Sequence, residues 1–337
     1  MKILYIAQYS EGSTSRMRGE YMRQILKGAD VKVINTDVPM EKTSRLFRSV
    51  GWRFKKGPFI TNINEYITES LKGDYKYDLV WIDKGVFIKP VIISKLKEKS
   101  ARLVHFTPDP AFAYHQSKFF YEALPYYDYC ITTKSYELTN YQSYGTKTIF
   151  CTQGYDPALH KPHYSFERKK GLIFIGHLEK ERQELVEGIV KAGIQITVAG
   201  NHWDKFYAKL GKPANLIYKG TGIFGTDYAR ELSRAQIGLG FLSKWVPELH
   251  TTRTIEIPAC GTALMTEKTP EIDNIFSQKE VIYFKDEADM LGQIKYFMDH
   301  TEELRSLSLR GYERITGGGY SYGEIMKRLL DQVCSPS

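Results

Sequence analysis

From its amino terminus the chain sets short, almost continuously apolar runs between longer stretches in which apolar residues recur every three or four positions. The runs Ile3–Ala7, Val31–Asn35, Leu79–Asp83, Leu103–Thr107, Tyr129–Thr132 and Thr148–Cys151 predict strands, and Ser15–Lys27, Lys89–Lys97 and Ser135–Ser143 predict helices between them. Strands that do not alternate with polar residues are buried on both faces, which calls for helices on each side of a parallel sheet. The pattern breaks over 153–170, where Pro157, Pro162 and a charged run read as a linker, placed at 156–170. It then restarts with Leu172–Gly176, Ile194–Ala199, Leu216–Lys219, Ile237–Leu242, Ala263–Thr266 and Val281–Phe284 as strands. Glu181–Lys191, Asp227–Arg234 and Ala288–His300 are the helical stretches among them. The expectation is an α/β protein with two doubly wound Rossmann-like domains, 1–155 and 171–315. A closing helix within 316–337 is expected to return toward the first domain.

Length agrees with this division, because 337 residues exceed the size at which single cores stop growing. The 47 Lys and Arg against 39 Asp and Glu leave a net charge of +8, which points to anionic partners such as phosphates or an acidic membrane surface. No nucleic-acid-binding module is recognised, so no nucleic-acid partner is expected. The four cysteines, Cys130, Cys151, Cys260 and Cys334, form no C-x-x-C pair, and three lie in apolar segments. They read as small hydrophobes in a reducing compartment and not as a disulfide or zinc framework. "MKILYIAQYSEG" is too short an apolar run for a signal peptide, and no run approaches the ~20 residues of a membrane span. A cytoplasmic protein is expected, with peripheral attachment to the inner face of the cell membrane left open.

In open parallel sheets ligands bind beyond the carboxyl ends of the strands. The second domain places polar residues there: Gly176, His177 and Arg182 after one run, Gly200, Asn201 and His202 after the next, Gly220 after a third. Ser243, Lys244 and the segment up to Arg253 follow a fourth. The stretch "HTTRTIEIPACGTALMTE", 250–267, sets Arg253 and Glu256 among core-like Ile255, Ile257 and Ala259. Thr251 or Thr252 can cap a helix whose free N–H groups face such a cleft. Arg253 would add a fork suited to phosphate, and Glu256 could accept hydrogen bonds from ribose hydroxyls. The alternative is a surface Arg–Glu pair, worth little. The helix is expected to begin near Thr254 or to kink at Pro258, and to end at Gly261. No D-x-D occurs, so no metal site is expected; Arg253, Lys244, Arg182 and helix N-termini would meet the charge of a leaving nucleotide.

The first domain offers Asp109, in "TPDPAF", as candidate base and His105 as the second, or as a contact for the acceptor. An aspartate between prolines is also a turn former. Ser13, Arg16 and Arg18 follow the first strand, where they could meet an acceptor or phosphates, although a helix start explains Ser13 equally. Residues 42–59, "KTSRLFRSVGWRFKKGPF", hold six cations and no acid, interleaved with Leu46, Phe47, Val50, Trp52, Phe54 and Phe59. An interfacial helix on anionic lipid has this composition, as does a helix packed on the sheet with its charges solvated.

Taken together, "FIGHLEKERQELVEGIVKAGIQITVAGNHW", "HTTRTIEIPACGTALMTEKTPEIDNIF" and "VIYFKDEADMLGQIKYFMDHTEELRSLSLRGYERI" resemble the C-terminal half of the CgeB-like glycosyltransferases over 171–330. "HFTPDPAF" carries a looser likeness in the first half. The resemblance implies a GT-B fold, two domains facing a central cleft, with a glycosyl transferase group 1-like C-terminal domain. It also implies a UDP- or GDP-linked sugar as co-substrate with no other cofactor, and hexosyl transfer to a glycan, lipid-linked or protein acceptor in surface polysaccharide synthesis. By resemblance Arg253 and Glu256 bind donor diphosphate and ribose. Glu248, which with Glu256 encloses an E-x7-E spacing, faces the donor sugar and leans the chemistry toward retention. "KWVPELH" lacks the glycines that usually surround that first glutamate.

Two rivals stand beside this. Gly220-Thr221-Gly222-Ile223-Phe224-Gly225 is a literal G-x-G-x-x-G, which an NAD-dependent oxidoreductase would use. A non-enzymatic two-lobe sugar-binding protein would share the architecture.

Overall fold

The computed structural model describes residues 1–73, 76–113 and 116–335. It contains two compact units, Met1–Thr152 with the chain from Gly323 onward, and Gln153–Tyr322. In the first, β1 (Lys2–Ala7), β2 (Asp30–Asn35), β3 (Tyr77–Asp83), β4 (Ser100–Thr107), β5 (Tyr129–Thr132) and β6 (Lys147–Phe150) form one sheet. The order is β2-β1-β3-β4-β5-β6 and every pairing is parallel. Alternate residues feed opposite cores: Leu4, Ile6, Val80 and Ile82 one, Ile3, Tyr5, Leu79 and Trp81 the other. The second core is completed by Ile325, Met326, Leu329, Leu330 and Val333 of the helix Tyr322–Cys334.

The second unit repeats the scheme with β7 (Leu172–Ile175), β8 (Ile196–Ala199), β9 (Leu216–Tyr218), β10 (Ile237–Leu239), β11 (Ala263–Glu267) and β12 (Ile282–Phe284). Its order, β12-β11-β10-β7-β8-β9, is again all parallel. Residues 156–170, which composition marks as a linker, pack onto this unit. Tyr155 pairs with Ser321, and the Lys169 ammonium is buried against the Ser233 carbonyl and Thr262. That burial pushes Lys169 down to about 8.

Strand order locates the ligand positions. A doubly wound sheet opens a crevice where successive connections leave in opposite directions, beyond the carboxyl ends of the strands. In the second unit that point lies between β7 and β10, and in the first between β1 and β3. The sheets also fix which loops stand far from a crevice. β9 is an edge strand, so Gly220–Gly225 lies away from the switch point. A dinucleotide fingerprint belongs after the first strand of the unit, which here is β7 with Gly176 and His177.

Candidate functional site

The helix Thr252–Ala259 begins two residues earlier than the sequence suggests. Thr251 is extended, and its N–H donates to Thr254 Oγ1 at 3.0 Å, which fixes the helix entry. Pro258 falls in the last turn, where its missing N–H removes one helical bond. The end is a Schellman turn: Thr262 N–H reaches the Ile257 carbonyl at 3.3 Å and Gly261 N–H the Pro258 carbonyl at 2.8 Å. Gly261 supplies the required positive φ of 66°. Ile255, Ile257 and Ala259 are buried, which holds the helix start at the β7/β10 crevice.

There Arg253 forks onto two strand ends, Nη1 to the Ile175 carbonyl at 3.3 Å and Nη2 to the Phe241 carbonyl at 3.2 Å. Arg182, from the helix Lys180–Lys191, reaches the same Phe241 carbonyl at 3.4 Å and the His177 carbonyl at 3.3 Å. Both guanidinium groups lie over Phe174, 5.5 and 5.7 Å from its ring centroid. Burial, and then the neighbouring Arg253, push Arg182 down to about 10. Among the described residues no carboxylate comes within 4.0 Å of Arg253, and the buried Nε atoms of both arginines have no partner. The N–H groups of Thr252 and Arg253 likewise meet no acceptor among the described residues. Four donors, two of them on cations held close together, thus remain for an anion.

Glu179 organises the rest, a role the sequence reading missed. Its side chain is fully buried, pairs with Arg182 at 2.6 Å, and accepts from Ser243 Oγ at 3.1 Å and Lys244 N–H at 3.2 Å. The signal available was its spacing, one turn ahead of Arg182 at a helix start. Glu248 sits in the same loop, accepts from Ser243 N–H at 2.9 Å and lies 4.0 Å from Arg182 Nη2. His177 Nε2 is 3.1 Å from Glu179, and its ring lies 5.4 Å from that of the exposed Trp245. Burial and Arg182 hold His177 below its usual range. Lys244 Nζ pairs with Glu267 at 3.2 Å.

Glu256 is buried and is no surface partner of Arg253. Its Oε2 accepts from the Tyr228 hydroxyl at 2.6 Å, and Oε1 lies 3.7 Å from His160 Nε2. Neither Tyr228 nor His160 was singled out from sequence. The glycines keep the crevice open. A Cβ on Gly176 would meet Phe174 at 2.9 Å and Arg253 Nη1 at 3.2 Å; one on Gly200, whose φ is 138°, would lie 2.0 Å from the Gly176 carbonyl oxygen. The Asn201 and Gly220 carbonyls accept from Leu178 N–H and Gly200 N–H, both at 3.0 Å; Gly220, beyond the edge strand β9, braces the neighbouring loop and stands away from the crevice itself.

In the first unit a recess at the β1/β3 switch point is lined by Gln8, Met40, Trp52, Lys84, Phe87 and Asp109. Asp109 is partly exposed there and pairs with Lys84 Nζ at 2.8 Å. Two sequence candidates are corrected. His105 is fully buried on β4, its Nε2 at 2.9 Å from the Lys84 carbonyl and its ring against Phe120 and Tyr127. Burial pushes it down to about 4, so it is a neutral core histidine and no acceptor contact. Arg18 is also buried, bidentate to Asp83 at 2.7 and 3.0 Å with Ser15 and Tyr5 completing the carboxylate's bonds. That closed network leaves it no phosphate to meet. Ser13 caps the helix Thr14–Ile25, accepting from Arg16 N–H at 3.1 Å, and Arg16 projects to solvent near Tyr9.

Residues 180–331 match the family model described as glycosyl transferase-like, so the chain carries a glycosyl transferase-like domain. A search of curated proteins found no match. Among solved structures, HepE of Anabaena in complex with UDP-glucose aligns with a TM-score of 0.68 at 13% identity, covering 100% of both chains. Sucrose-phosphate synthase of Thermosynechococcus elongatus aligns at 0.67 and 13%, covering 98% of both, and OtsA at 0.68 and 11%, covering 100% of both. The chain has the GT-B fold of these glycosyltransferases. At such identities the likeness carries fold and not chemistry.

Proposed function

We propose that the protein transfers a hexosyl group from a nucleoside-diphosphate sugar to a hydroxyl acceptor, with the donor in the β7/β10 crevice. The observation that carries this is the four unfilled donors there: Arg182 Nε, Arg253 Nε and the first two N–H groups of the helix Thr252–Ala259. A diphosphate is the common metabolite group that suits such a cluster. Glu256, held by Tyr228, is assigned to the ribose, and Glu248 to the donor sugar. UDP is the first nucleotide to try, since HepE is described with UDP and UDP-glucose and aligns over the whole chain.

In the proposed reaction the bond from the sugar's anomeric carbon to the diphosphate breaks and a bond to the acceptor oxygen forms. Charge develops on the departing diphosphate, where Arg253, Arg182 and the helix N–H groups stabilise it. The acceptor proton passes to Asp109, which the proposal places beside an acceptor hydroxyl in the first unit's recess. We extend the reading to metal-independent turnover with retention. Turnover unchanged in EDTA and an NMR spectrum of the first-formed product test these two points. A glycan, lipid-linked or protein acceptor fits equally on the donor side.

Calorimetry with UDP, GDP, UDP-glucose, NAD and free glucose tests the donor assignment. Heat with a nucleoside diphosphate and none with NAD is expected. Binding of NAD or of free sugar alone would replace the proposal with one of the two rivals.

A further inference from the structure

The helix Arg45–Phe54 of the first unit wears its apolar residues on the outside. Leu46 is 71% exposed, Phe54 59%, Phe47 46% and Val50 39%. At about 100° per residue these four fall within one arc of about 100°. The inward side is set by Gly51, where a Cβ would lie 2.5 Å from Phe59 Cβ, so a residue without a side chain lets this helix close on Pro58–Ser70. Trp52 is set apart from the outer face: its ring packs 4.9 Å from Phe87 and walls the recess that holds Asp109.

Charge identifies what the outer face meets. Between 42 and 59 there are six cations and no acid. Arg45, Arg48 and Arg53 have no carboxylate partner among the described residues; Arg53 borders the apolar arc, and Arg45 and Arg48 stand about 100° beyond its two edges. A nucleic acid would match the charge and leave Leu46, Val50 and Phe54 in water. A bilayer with anionic headgroups matches both, with apolar side chains at the acyl boundary and Arg53 at phosphate level.

We propose that the helix Arg45–Phe54 lies flat on an anionic membrane, with Leu46, Phe47, Val50 and Phe54 inserted, Arg53 on headgroup phosphates, and Arg45 and Arg48 held in the attractive surface potential from the back of the helix. Trp52, on the opposite side of the same helix, walls the recess, so the recess then lies about one helix diameter, ~10 Å, from the lipid surface. If the transfer reaction proposed above holds, on which this clause alone rests, the acceptor is a lipid-linked glycan.

The test is co-sedimentation of the whole chain with vesicles of phosphatidylcholine, alone or mixed with phosphatidylglycerol. Pelleting with the mixed vesicles only, reversed by high salt, is expected. At about fivefold for Arg53 and less for the two cations behind the helix, replacing Arg45, Arg48 and Arg53 by Ser should weaken partitioning by roughly ten- to thirtyfold. Replacing Leu46, Phe47, Val50 and Phe54 by Ser should abolish it. These surface variants should keep the parent's urea midpoint, a control that stays valid even if UDP does not bind. No pelleting with mixed vesicles at low salt overturns the proposal, as does equal pelleting of parent and variants. Pelleting without lipid that these substitutions remove would identify a protein interface instead and overturn it too.

Discussion

Replacing Arg253 by alanine separates a phosphate clamp from a structural stitch. The side chain makes two hydrogen bonds to backbone carbonyls, Ile175 and Phe241, and leaves Nε free. Phe241 keeps Arg182 Nη2 at 3.4 Å, so the truncation orphans chiefly the Ile175 carbonyl, a loss of about 1 kcal/mol. It also removes the like charge that, after burial, most depresses Arg182, which offsets part of that loss. The urea midpoint should therefore move little. Binding is another matter, because a charge-assisted contact to phosphate in a sheltered crevice contributes about 1.5–3 kcal/mol. Calorimetry should show the Kd for UDP rising roughly ten- to a hundredfold. Arg253→Lys keeps the charge without the fork and should fall between parent and Ala. A folded Arg253→Ala protein that binds UDP as tightly as the parent would refute the assignment of the crevice.

Gly200→Ala should lower stability by about 3 kcal/mol or more in urea unfolding, from a φ of 138° and a 2.0 Å clash with backbone; a loss under about 1 kcal/mol would contradict this geometry. Asp109→Asn should cut turnover about a hundredfold while UDP affinity holds, and normal turnover would reduce Asp109 to the partner of Lys84. His105, pushed down to about 4 from the usual 6.5, binds its proton more weakly folded than unfolded. Its contribution is present above pH 6.5 and is lost as pH falls toward 4, about 3 kcal/mol in all. His105→Phe should flatten that part of the stability–pH profile, and an unchanged profile would mean that the ring is not buried neutral.

Much of the fold was legible because both sheets are parallel and buried on both faces. Their central strands are almost continuously apolar, and all twelve predicted runs overlap observed strands. Short helices such as Asp37–Lys42 and Trp203–Lys209 escaped notice, being too brief to show a helical period. Arg253 and Glu256 stood out as charged residues within an apolar run. Glu179 did not, since "HLEKER" looks like any solvated helix start, and only the fold buries its carboxylate against Arg182. His105 and Arg18 misled for the converse reason. Each is polar at a strand end or helix start, yet each is enclosed by partners distant in sequence, Phe120 and Tyr127 for one and Asp83 for the other.

The helix Tyr322–Cys334 has a consequence for the order in which the protein can be made. The second unit spans Gln153–Tyr322 without interruption, so all its strands have left the ribosome before this helix appears. The first unit is synthesised earlier but finished later. Until Ile325, Met326, Leu329, Leu330 and Val333 emerge, the sheet face bearing Ile3, Tyr5, Leu79 and Trp81 lacks part of its cover. At about 5–20 residues per second that apolar face waits many seconds in an incomplete state. Nascent chains stalled before residue 322 should thus hold a protease-sensitive first sheet.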